Sequence, residues 1–130
     1  MNINECVKAF WLDKEDAKKL WSKETDLIIK PKMYRFIINK NYLLIDDKFC
    51  YGVISFFHKP ERVLPDVFNT LRSRHGITNV DKIGRWRSGN KTVFAYDFEF
   101  VDRFEKPIKI FMTNSVGDKD FIAIEDITLG

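Results

Sequence analysis

The sequence predicts an α+β domain: a mostly antiparallel, strongly curved sheet or small pseudo-barrel of about six strands with two or three short helices. Three observations carry this expectation. Apolar runs of strand length, rich in β-branched and aromatic residues, recur along the chain. Helical signals are few and short. Strands and helices do not alternate regularly, which argues against a doubly wound parallel sheet.

Taken in order, Phe10, Trp11 and Leu12 form an apolar knot before the first helix, expected over about residues 13–23. Asp13 suits its N-cap, Asp16 lies three residues on, and Leu12 and Ala17 have the spacing of a hydrophobic staple. Ala17, Leu20 and Trp21 share one face, with Lys14, Lys18 and Lys19 towards water. Leu27, Ile28 and Ile29 read as a short buried strand stopped by Pro31. Phe36, Ile37 and Ile38 form another apolar run, followed by a turn at 39–41. Residues 42–45 and 49–57 are strands joined by a polar turn at Asp46 and Asp47, and Gly52 marks a bulge or a close backbone approach.

Pro65 at a first helical position and Gly76 just beyond the last turn predict one helix between them, with Val67, Phe68 and Leu71 buried. Thr78 and Asp81 read as a capping pair opening a single helical turn that Gly84 ends. A turn at 88–90 leads into residues 92–101. There Phe94, Tyr96, Phe98 and Phe100 alternate along one core face of a single strand. Pro107 begins the next strand, 114–120 is a polar turn, and 121–124 closes the chain.

With 130 residues and no linker or repeat, the chain reads as a single domain, 1–130. Cys6 and Cys50 show no ligand spacing and are expected as reduced thiols. Asn4, Glu5 and Lys8 interrupt any signal-peptide core, and no apolar run is long enough to span a bilayer. The expectation is a soluble, cytoplasmic protein with no membrane partner. No His, Cys and Asp cluster, glycine-rich phosphate loop or nucleophile elbow occurs, so no metal, cofactor or catalytic residue is assigned.

Net charge is only +3, so its distribution matters more than its sum. The densest positive run covers residues 72–91, with Arg72, Arg74, His75, Lys82, Arg85, Arg87 and Lys91. Arginine and lysine there suit a phosphate backbone, and Trp86 between two arginines suits stacking on a base. Each also has a plainer reading. The run also reads as a solvated helix end, Trp86 as a core residue, and His75 as a cap at a helix C-terminus.

The order of these motifs resembles the PUA-like superfamily, which includes ASCH domains. The resemblance covers about residues 25–112 and rests on several motifs in sequence. A lysine-bearing strand (27–32) is followed by Tyr42-Leu43-Leu44-Ile45 and by Tyr51-Gly52-Val53-Ile54. A helix then ends in Arg72-Ser73-Arg74-His75-Gly76-Ile77-Thr78, with Trp86 beyond it. Val93-Phe94-Ala95-Tyr96 with Phe98, and Phe104 with Pro107, complete the order. The chain is most similar in this respect to small PUA-like domains of archaeal and phage proteins. The ASCH signature Gly-x-Lys-x-x-Glu-x-Arg falls at 29–36, where Lys30, Lys32 and Arg35 stand without the glycine or the glutamate. Where relatives have two adjacent aromatics, this chain has Arg85 and Trp86. The resemblance implies a pseudo-barrel that binds RNA or, in some branches, modified DNA bases. The sequence-level expectation is therefore a nucleic-acid-binding module for RNA or for modified or single-stranded DNA. Its contacts would be Lys30, Lys32 and Arg35 together with the 72–91 segment. A protein-interaction or accessory role is the alternative, and a small nuclease is third.

Overall fold

The computed structural model describes residues 5–88, 92–113 and 121–130. A curled six-stranded mixed sheet forms half a barrel, in the order β8 (Phe121–Ile122), β1 (Lys8–Trp11), β3 (Tyr42–Ile45), β4 (Phe49–Phe56), β7 (Phe98–Met112), β9 (Ile127–Leu129). A small sheet, β2 (Ile28–Lys30), β6 (Val93–Tyr96), β5 (Glu61–Val63), lies beside it. Four short helices complete the α+β fold: α1 (Lys14–Trp21), α2 (Pro65–Thr70), α3 (Arg72–His75) and α4 (Val80–Ser88). The apolar knot at Phe10 and Trp11 is the strand β1, which pairs in parallel with β3.

Alternation on β3 assigns the cores. Tyr42 and Leu44 enter one cluster with Phe10, Tyr51, Phe56 and Tyr96, while Leu43 and Ile45 enter another with Ala9, Cys50 and Val53. β4 is buried on both faces, which explains its nearly unbroken apolar run. A Cβ on Gly52 would sit 2.3 Å from the Asp102 carbonyl oxygen, so the bulge and the close approach expected there coincide. Asp46 builds the following turn. Its Oδ1 accepts from the Lys48 and Phe49 N–H groups at 2.7 Å, and Oδ2 accepts from Tyr51 Oη at 2.5 Å.

Several local expectations give way to tertiary structure. The aromatic row does face the first cluster, but its strand breaks at Asp97: Tyr96 ends β6 in the small sheet and Phe98 starts β7 in the large one. Pro107 lies inside β7, not at a strand start. The pairing jumps from Arg103 to Ile108 there, so the intervening residues bulge and the missing N–H costs no ladder bond. That bulge docks α1, because Trp21 Nε1 donates to the Phe104 carbonyl at 2.7 Å. The helix expected over 65–75 is broken at Leu71, and Val67 is exposed, while Phe68 is buried. Gly76 ends α3 in the left-handed region (φ 62°), as its position required. α4 is longer than one turn. Asn79, not Thr78, caps it through Oδ1 on the Lys82 N–H, and Gly84 lies mid-helix. Of the turn expected at 88–90, Ser88 still belongs to α4 and residues 89–90 lie outside the described residues, as does the turn expected at 114–120.

Residues 31–41 carry no strand, including the run at Phe36, Ile37 and Ile38. Two buried tyrosines hold this segment. Tyr96 Oη donates to the Lys32 carbonyl at 2.5 Å and accepts from the Tyr34 N–H at 2.8 Å. Tyr42 Oη accepts from the Ile37 N–H at 2.9 Å.

Candidate nucleic-acid interface

β2, the pinned loop and α4 enclose a cleft of about 370 Å³, with the start of α1 at its far wall. Five of the residues singled out from sequence line it: Lys30, Lys32, Lys82, Arg85 and Trp86. β2 brings Lys30, the loop after it brings Lys32, and α4, across the cleft, brings the other three. Trp11, Asp13, Asp16 and Tyr34 also line it. Sequence reasoning gave three of these other tasks, Asp13 and Asp16 at the start of a helix and Trp11 in an apolar knot, and gave Tyr34 none. Asp13 does both jobs, with Oδ1 accepting from the Asp16 N–H and Oδ2 facing Lys82.

The cleft's charges are mixed. Lys82 Nζ lies 2.8 Å from Asp13 Oδ2 and 2.7 Å from Asp16 Oδ2, tying α4 to the start of α1. Burial works against the Asp13 charge, but its hydrogen bond to Lys82 prevails and holds the carboxyl below its ordinary range. Burial, together with the neighbouring Asp13 charge, pushes Asp16 up despite Lys82. Lys82 itself is desolvated, yet the two carboxylates hold its ammonium more basic than usual. Lys30 is only 7% exposed at the cleft floor. Its Nζ donates to the Trp11 carbonyl at 2.9 Å and sits 5.4 and 5.0 Å from the Phe10 and Trp11 ring centroids. Lys32 and Arg85 are exposed at the mouth.

Trp86 walls the cleft from the core, and the remaining predicted contacts lie outside the cleft lining or the described residues. Trp86 is 8% exposed and packs edge-on to Phe68 at 6.3 Å, with Lys82 Nζ 5.5 Å from its ring centroid. It is a wall of the cleft built into the core, not an open platform. His75 is 3% exposed and stacked on Phe68. Its Nδ1 accepts from the Ile77 N–H, so Nε2 carries the proton and donates to the Phe68 carbonyl, both at 2.9 Å. Burial holds it below the ordinary histidine value, with the Arg72 charge acting in the same direction. A neutral, buried link between α2 and α3 replaces the cationic cap that sequence suggested. Arg74 is spent on Asp26 and Asp97 at 3.0 and 3.1 Å. Arg72 is exposed outside the cleft lining, and Arg35 lines a separate groove behind the loop. Arg87 continues α4, and Lys91 lies outside the described residues.

Among the described residues no group of three or more His, Cys, Asp or Glu side chains is placed to hold a metal ion. No described helix is long and apolar enough to cross a membrane.

Comparison with solved structures gives the architecture a structural context. The chain superimposes on the crystal structure of ASCH from Zymomonas mobilis with a TM-score of 0.55 and 12% identity, covering 92% of this chain and 74% of that one. Two single-residue mutants of the Zymomonas mobilis protein match similarly. One has a TM-score of 0.50, 18% identity and coverage of 78% and 71%; the other has 0.52, 15%, and 92% and 75%. The fold is thus similar to that of the Zymomonas mobilis ASCH structures, at a distance where only architecture is shared. No protein-family model and no curated protein matches the sequence.

Proposed function

We propose that the chain is a nucleic-acid-binding module, taking RNA or modified or single-stranded DNA in the cleft between β2 and α4. One observation carries this reading: four cationic side chains from distant parts of the sequence converge on one concave, aromatic-walled site. The PUA-like architecture supports it at the level of fold. Lys32 and Arg85, exposed at the mouth, take phosphates. A base enters between Tyr34, Trp11 and the Trp86 wall, where Asp13 and Asp16 offer acceptors to its amino or imino groups. The lysine–aspartate pairing sets a limit on this role. Because Lys82 is already neutralised, the cleft suits a base with a few flanking phosphates better than a long backbone track.

Fluorescence titration with short RNA and DNA oligomers at two salt concentrations tests this. Arg85→Ala and Lys32→Ala should each weaken binding across sequences and lower the salt slope by roughly one. Tyr34→Ala should cost about 1–3 kcal/mol of affinity with the slope nearly unchanged. Absence of binding by the wild-type chain at low salt would overturn the reading.

A further inference from the structure

The loop over 31–41 has two sides, and the nucleic-acid reading uses only one. Lys32 and Tyr34 line the cleft, whereas Arg35, Phe36 and Ile37 turn to the opposite side and help form a groove of about 310 Å³. Its floor is aromatic: buried Tyr42, with half-buried Phe36 and Phe121, and the Tyr42 and Phe121 ring centroids are 5.7 Å apart. Its apolar walls are open to water, with Ile37 53% and Val7 39% exposed. Met33 and Ile38, in the same loop, are 61% and 38% exposed. Among the described residues, the charged ones that line the groove are Lys8 and Arg35, both cations on exposed positions, and no described carboxylate lines it.

The groove is held in shape from below. The Ile37 N–H is committed to Tyr42 Oη, and the Val7 N–H donates to the Asn41 carbonyl at 2.8 Å, closing the two walls around the floor. Exposed aliphatic side chains gathered in a fixed concavity gain from being covered. Cations at the edge decide the sign of what covers them.

We propose that this groove docks an acidic peptide segment of a partner protein. A single bulky apolar side chain would enter between Ile37 and Val7, and flanking carboxylates would pair with Lys8 and Arg35. A nucleic acid fits this groove poorly, because its phosphates would face Ile37 and Val7 while the Tyr42 hydroxyl is already engaged. A membrane favours protruding apolar groups over a recess with a fixed aromatic floor.

Selection of random short peptides displayed on phage against the full chain tests the proposal, followed by affinity measurements on the enriched peptides. Enriched sequences should combine Asp or Glu with one large apolar residue. Ile37→Asp and Arg35→Glu, both at exposed positions, should each weaken those peptides by about tenfold or more. Far-ultraviolet circular dichroism checks that both variants fold. Arg85→Ala, in the cleft, should leave peptide affinity unchanged, so that failure here is separable from failure of the nucleic-acid reading. Three results would overturn the proposal. One is the absence of an acidic–apolar enrichment, another is enriched peptides indifferent to both groove variants. The third is binding to phosphatidylglycerol vesicles that Ile37→Asp abolishes while peptide binding stays absent, which would assign the patch to a membrane surface.

Discussion

Replacing Lys82 by Met would remove the charge that ties α4 to α1 while keeping most of the side chain's apolar stem. Its size follows from the exposure of the three groups. The Lys82 and Asp16 side chains are 19% and 17% exposed, whereas Asp13 is 42% exposed. The Asp13 contact is therefore screened and discounted to about 0.5 kcal/mol. The Asp16 contact is a charge-assisted hydrogen bond whose loss leaves a poorly solvated carboxylate, worth about 1.5–3 kcal/mol. The variant should lose about 2–3.5 kcal/mol near neutral pH, lowering Tm by roughly 10 °C in a domain of this size.

The deficit should depend on pH in a definite direction. Asp16 is already pushed above its ordinary range, chiefly by burial, and rises further without Lys82. A carboxyl whose folded pKa lies above its unfolded value binds its proton first in the folded state, so the variant recovers stability as pH falls. Asp13, held low in the wild type, works the other way: its contribution is present at neutral pH and fades on acidification. Both trends narrow the gap. Thermal unfolding of wild type and Lys82→Met, followed by circular dichroism near pH 7.5 and near pH 4, measures it. A gap that stays constant across that range, or lies under about 0.5 kcal/mol at neutral pH, would refute the assignment of the triad as the tether.

The two histidines should titrate on opposite sides of about 6.5 in NMR spectra. His75 falls below because it is buried, and His58 rises above because of the Lys59 carbonyl and Asp97 at 3.3 Å. For His75 the unfolded state takes the proton first, so part of the stability is lost as pH drops through the unfolded value; a normal His75 titration would contradict its neutral, bridging role. Tyr96→Phe should cost about 1–3 kcal/mol and speed hydrogen exchange at the Tyr34 amide, since that N–H loses its acceptor. Unchanged exchange would mean that the loop is held by other contacts. Denatured, non-reduced protein should show two thiols, as Cys6 and Cys50 are both free. In the native protein Cys50 should react far more slowly than a model thiol, because burial pushes its pKa up to about 12.

What the sequence by itself determined were features that depend on neighbours a few residues away. The Asp13 cap, the bulge at Gly52, the stop at Gly76 and the alternation of β3 all follow from backbone sterics and the two-residue period of a strand. The order of such features was sufficient to expect the curved α+β half-barrel. The site was legible only in part, since composition shows where positive charge is but not what neutralises it. Lys82 meets its carboxylates across sixty-six and sixty-nine residues of sequence, and Arg74 meets Asp97 across twenty-three. The same holds for direction: period and propensity do not tell which side of an irregular loop a side chain takes. Tyr96 and Tyr42 settle that by hydrogen-bonding its backbone, which turns Lys32 to the cleft and Arg35 to the groove behind it. Trp86 is likewise fixed by Phe68, a partner that comes near it only once α2 and α4 have packed on the small sheet.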